Sequence, residues 1–127
     1  MRNIFRHPDG GLLACIGEIR ETDDLVTIRF KGAIDASTIP VLESNFKKKA
    51  HGYVDKNMLL DFKEVTHVDS ATIAALVLLL MDRKETSAKL ALVNLPDMFK
   101  NYLKIERIDT LVPVFDSEPQ ALAAFVA

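Results

Sequence analysis

The pentapeptide Met58-Leu59-Leu60-Asp61-Phe62 most constrains this chain, because it is apolar at every position but one. A strand with one wet face alternates polar and apolar residues. A run apolar at successive positions has to be dry on both faces, which belongs in a parallel sheet covered by helices. Residues 89–93, Lys-Leu-Ala-Leu-Val, repeat the pattern. Between them, residues 71–85 are dominated by Ala, Ile, Leu and Val through Met81 and then turn charged at Asp82-Arg83-Lys84-Glu85. This predicts a central helix packed on most sides that surfaces at its end.

The rest of the chain can be placed around this strand-helix-strand unit. Pro8-Asp9-Gly10-Gly11 is a turn by composition, and residues 12–20 read as a first strand. In residues 25–31, Val26, Ile28 and Phe30 alternate with Thr27, Arg29 and Lys31, giving one dry and one wet face. The two strands are close enough in sequence to form an antiparallel hairpin at a sheet edge. Ser37 or Thr38 can cap a following helix with Pro40 in its first turn, and Ile39, Leu42, Phe46 and Ala50 form its apolar stripe. Lys47-Lys48-Lys49 complement the dipole at the end of that helix, and Gly52 closes it.

Residues 63–68 read as a polar turn and a second extended stretch ending at Val68. After residues 89–93 comes a helix whose Met98, Phe99, Tyr102 and Leu103 share a face. A strand at 111–115 contains Pro113, which cannot donate to a ladder and so predicts an edge. Ser117-Glu118-Pro119-Gln120 is a capping box for a last helix at 118–125. The expected class is α/β: one domain over residues 1–127, with a core at about 12–125. Its sheet is mixed and mostly parallel, with an antiparallel edge hairpin and covering helices.

Composition excludes several functions. Sixteen basic residues against 18 acidic ones supply no field to hold nucleic acid or an anionic membrane. The N-terminal residues lack the apolar stretch of a signal peptide, and the run to Met81 is too short to span a bilayer. The single cysteine, Cys15, lies in an apolar run as a buried inert thiol, and a reducing cytoplasm fits. The three histidines are scattered without metal-ligand spacing, and no GxGxxG, GxxxxGK[ST] or nucleophile elbow occurs. No metal, cofactor or catalytic role is expected, and the chain reads as a protein that is acted upon.

The residues left to carry function lie at strand ends. Asp69-Ser70 stands at the mouth of the apolar helix, where unpaired backbone N–H groups favour anions. Either residue could equally be a plain N-cap. Asp35, Asp61 and Asp69 all fall at or near C-terminal ends of expected strands, where open α/β sheets place their sites.

At Gly32-Ala33-Ile34-Asp35, Leu59-Leu60-Asp61-Phe62 and Val68-Asp69-Ser70-Ala71 the chain resembles a STAS domain, and within that group the bacterial anti-sigma factor antagonists. The resemblance runs from about residue 12 to 125. It implies a partner that is both a serine kinase and an anti-sigma factor, bound while the serine after the motif aspartate is unphosphorylated. By position that serine is Ser70 and the aspartate Asp69. Asp35 corresponds to the strand-end aspartate near the phosphorylation site and Asp61 to the polar residue of the buried strand, expected nearby, and Asp35, Asp61, Asp69, Ser70, Ala71 and Thr72 form the implied partner surface. Thr72 stands where such proteins usually carry glycine. It adds a less favoured second hydroxyl and a β-branched side chain expected to crowd a closely approaching kinase. STAS-like domains also serve as constitutive scaffolds and as accessory subunits of ABC-type lipid transporters. Both end strands leave edges at which a second copy could pair as a homodimer.

Overall fold

The computed structural model describes residues 14–40, 56–81, 89–110 and 112–126. Five strands form one sheet in the order β1-β2-β3-β4-β5. β1 (Ile16–Glu21) pairs antiparallel with β2 (Leu25–Ile34), and β2 with β3 (Asn57–Val68), β3 with β4 (Leu90–Val93) and β4 with β5 (Val114–Phe115) are parallel. The helices are α1 (Ser70–Met81), α2 (Asp97–Ile105) and α3 (Glu118–Val126), and residues 38–40 are helical as well. The α/β class, the edge hairpin and the edge position of the last strand are as expected.

The apolar run does face two ways. Met58, Leu60 and Phe62 join Val26, Ile28 and Phe30 of β2, Leu92 of β4, Ile73, Leu76 and Val77 of α1, and Phe99 and Leu103 of α2 in the larger core. Phe62 stacks on Phe30 with centroids 5.1 Å apart and meets the edge of Phe99 at 5.5 Å. Leu59, Ala91 and Val93 point to the opposite face and pack with Ala121 of α3. One strand thus serves two cores of unequal size.

Three details differ from expectation. Residues 58–68 form a single strand, because Lys63 and Glu64 lie exposed on an open part of the sheet and interrupt nothing. β5 covers only Val114–Phe115 of the expected 111–115, with Pro113 just before it, while α1 buries Ile73, Leu76 and Val77 and leaves Leu78 67% exposed, in keeping with a helix packed on most sides. Half of the α3 capping box is as expected, Ser117 Oγ accepting the Gln120 N–H, but the return bond is displaced by one residue, the Gln120 side chain accepting the N–H of Asp116 instead of Ser117. The expected turn at 8–11, the start of the first strand before residue 14, the helix stripe at Leu42, Phe46 and Ala50 with Lys47-Lys48-Lys49 and Gly52, and the charged helix end at 82–85 lie outside the described residues.

Candidate functional site

The site is built by strand register. Ile34 of β2 pairs with Val68 of β3, the last residue of each strand, so Asp35 and Asp69 emerge side by side at one end of the sheet. Reaching that register requires shifts between Arg29 and Lys31 and between Gly32 and Ala33. Gly32 takes a left-handed dihedral, φ 64°, with open space where a side chain would sit. Its conformation, not crowding, is what calls for glycine there.

Asp69 is the cap of α1. Its Oδ1 accepts the Thr72 N–H at 2.8 Å, and its carbonyl accepts the Ile73 N–H at 3.0 Å, closing the first helical turn. Ser70 is therefore the first helical residue and is released from the capping role that sequence alone left open between the two. Asp35, Asp69, Ser70 and Ala71 are all exposed. The Thr72 N–H above all, with the nearby Thr72 hydroxyl next, holds the Asp69 carboxyl below its usual range, and His67 adds to the effect. Asp35 accepts both the hydroxyl and, at 3.0 Å, the N–H of Ser37, and these two bonds lower its pKa in that order while neighbouring Asp69 opposes them. Both carboxylates are thus ionised at neutral pH, and they feel one another. Sequence reading gave Ser37 only a cap role and His67 none. The Asp-x-Ser spacing of an Asx-type turn was the available signal for Ser37.

Two members of the expected surface are placed elsewhere. Thr72 is 1% exposed, so its side chain points inward. It neither crowds an approach to Ser70 nor offers an accessible second acceptor, and its Oγ1 makes no well-formed hydrogen bond. Asp61 lies within β3, eight residues before Asp69, which follows the end of that strand, roughly 25 Å away at the rise of an extended chain. It pairs with Arg29, Nη1 to Oδ2 at 2.7 Å, and accepts bonds from the Asn94 amide at 2.9 Å and the Lys63 N–H at 3.0 Å. Burial pushes its pKa up, but those donors outweigh burial and the net shift is downward. The same guanidinium reaches Glu18 of β1 at 3.0 Å and Glu118 of α3 at 3.3 Å. Asp61 belongs to a clasp on the α3 face, beside an open polar cleft of about 680 Å3.

Along α1, Ser70, Ala74 and Leu78 fall four residues apart on one face. Leu78 and Ala74 also line a shallow groove of about 270 Å3 against Tyr102 and Ile108 on the α2 side. A hydroxyl at one end of an exposed apolar strip is suited to docking a protein. Among the described residues there is no metal-binding cluster and no helix long and apolar enough to cross a membrane.

Comparison with known proteins agrees with this fold. The STAS domain family model matches residues 18–121. A Thermotoga maritima structure described as an anti-sigma factor antagonist superposes with a TM-score of 0.72 at 19% identity, covering 87% of this chain and 94% of the other. An anti-sigma factor antagonist from Mycobacterium paratuberculosis gives 0.69 at 18%, covering 96% and 99%. A STAS domain protein from Planctomyces limnophilus gives 0.66 at 17%, covering 88% and 98%. At these identities the three structures bear on the fold.

Proposed function

The chain belongs to the STAS domain family, and we propose that within it the protein acts as an anti-sigma factor antagonist, binding a serine kinase that is also an anti-sigma factor while Ser70 is unphosphorylated. One observation carries this reading: Asp69 does the capping, which leaves Ser70 exposed at the mouth of α1 between an acidic edge and an apolar strip. The inward turn of Thr72 supports it too, since nothing β-branched stands over the hydroxyl. The protein is the substrate of the reaction and needs no cofactor of its own, and its effect on transcription is indirect and cytoplasmic.

Phosphorylation would add a charge of about −1.5 to −2 next to Asp69 and across from Asp35. The α1 dipole offsets part of that charge within the free protein. A partner already matched to two carboxylates has to desolvate the new group and meet its field. A penalty of roughly 3 kcal/mol lowers affinity more than a hundredfold. The partner is thereby released without any refolding of the antagonist.

The test is to immobilise wild type, Ser70→Ala and Ser70→Asp and pass a lysate of the source cells over each. A kinase-like ATPase retained by wild type and Ser70→Ala and released by Ser70→Asp is the expected result. A transporter subunit or scaffold protein held equally by all three would assign the protein to constitutive docking instead.

A further inference from the structure

β1 is the outer strand of the sheet and pairs, among the described residues, with β2 alone. The opposite edge, β5, is two residues long and offers little to a partner. The hairpin decides where the main-chain groups of β1 point. The Thr22 N–H bonds inward to the Leu25 carbonyl at 2.8 Å, and inward groups alternate along an antiparallel ladder, so those of Arg20 also face β2. Those of Ile19 and Glu21 face outward. The irregularity between Ile16 and Glu18 ends this regular edge at Gly17. Side chains alternate as well: Ile19 packs against the larger core, while Glu18 and Arg20 lie on the other face, ion-paired to each other at 2.9 Å.

A second copy joining this edge about a two-fold axis sets its β1 antiparallel to the first, and the pleat requires that one residue stand opposite itself. With Arg20 at the axis two arginines face each other, and with Glu18 or Glu21 there two glutamates do. With Ile19 at the axis the like charges disappear. Ile19 then meets its own copy and exchanges two N–H···O bonds with it, and Glu18 of each chain stands opposite Arg20 of the other. Glu21 faces Gly17, where no side chain obstructs it.

We infer that β1 is a self-association edge, at which two copies of this chain pair with Ile19 on the two-fold axis. The contact is only a few residues long on each side, so the dimer is weak and forms as concentration rises. It leaves the Ser70 corner free. Ile19 stands opposite Ile28 of β2, seven residues before Asp35, roughly 23 Å along the strand. The two β2 strands run antiparallel across the axis, so the Ser70 corners of the two copies stand at opposite ends of one continuous sheet. Pairing neither hides Ser70 nor depends on its state, and the inference stands or falls separately from the proposed switch.

The experiment is sedimentation velocity of the full chain over a concentration series, in wild type and Arg20→Glu. The Arg20 side chain is 71% exposed, so the variant should unfold in urea as wild type does. Wild type is expected to move from monomer towards dimer with concentration. Arg20→Glu sets glutamates opposite each other twice over and should raise the dissociation constant at least about tenfold. Disulfide trapping reads the register independently. A bonded antiparallel pair has its Cα atoms about 5.5 Å apart, within disulfide reach. Under oxidised glutathione Ile19→Cys should therefore cross-link to a dimer and Arg20→Cys should not, with wild type, whose single thiol is the buried Cys15, as the control. A wild type monomeric throughout, a dimer indifferent to Arg20→Glu, or cross-linking of Arg20→Cys in preference to Ile19→Cys overturns the inference. The first of these gives the edge to another occupant or to solvent.

Discussion

Asp61 and Asp69 lie on and just beyond the same strand, share a side chain and both have lowered pKa values, yet the molecule uses them in opposite ways. Asp61 is 6% exposed and bonded to a guanidinium, an amide and a backbone N–H. Asp69 is exposed and bonded to the end of a helix. The residue type therefore does not identify a site. What distinguishes the two is whether the donors that stabilise the charge also hide it. A carboxylate enclosed by its donors fastens elements together, and one that spends a single oxygen on a cap still presents charge to a partner.

Replacing each aspartate with alanine gives the sharpest contrast. Asp61→Ala strands the Asn94 amide and leaves Arg29, 30% exposed, with Glu18 and Glu118 alone; a loss of about 2–3 kcal/mol in urea unfolding is expected. Asp69→Ala removes only a cap and should move the unfolding midpoint less than half as far. Equal shifts for the two variants would mean that the clasp and the cap hold the fold alike.

Acid should reveal the same difference. Asp35, Asp61 and Asp69 each have a folded-state pKa below the unfolded value of about 3.9, so their contribution is complete above that pH and is lost as pH falls through the folded pKa. Below about pH 4 the wild type should lose stability steeply, and Asp61→Ala should show a shallower acid limb, measured as urea midpoints between pH 6 and 3. An unchanged limb in that variant would remove Asp61 from the account of acid unfolding.

The smallest effect belongs to Thr72→Val, which deletes a buried hydroxyl with no well-formed hydrogen bond and keeps the shape. Stability should stay within about 0.5 kcal/mol or rise slightly, by thermal or urea unfolding. A large loss would show that the hydroxyl holds Asp69 in place.

The fold was legible because its strands declare their burial: alternation at Val26, Ile28 and Phe30 and the unbroken run at 58–62 both describe what covers them. Ser70 and Asp69 could be read for the same reason, since strand end, cap and helix are contiguous. Asp61 was assigned to the wrong neighbourhood because its partners are 32 residues before it and 33 after it, and only parallel register brings them together. A polar residue within a run buried on both faces was itself the signal, because such a group needs a partner from another strand. Thr72 was misread because the direction of a side chain in the first turn depends on how the helix is seated against the sheet, which is a tertiary fact.

Arg29 gathers its three carboxylates at increasing distance along the chain: Glu18 at 11 residues, Asp61 at 32 and Glu118 at 89. A ribosome builds from the N-terminal side, so the guanidinium meets one acid within the hairpin, a second when the sheet has its third strand, and the last only when α3 has been made. The clasp thus records the order of synthesis, and the nascent domain carries an Arg29 with a place still open until its final helix arrives.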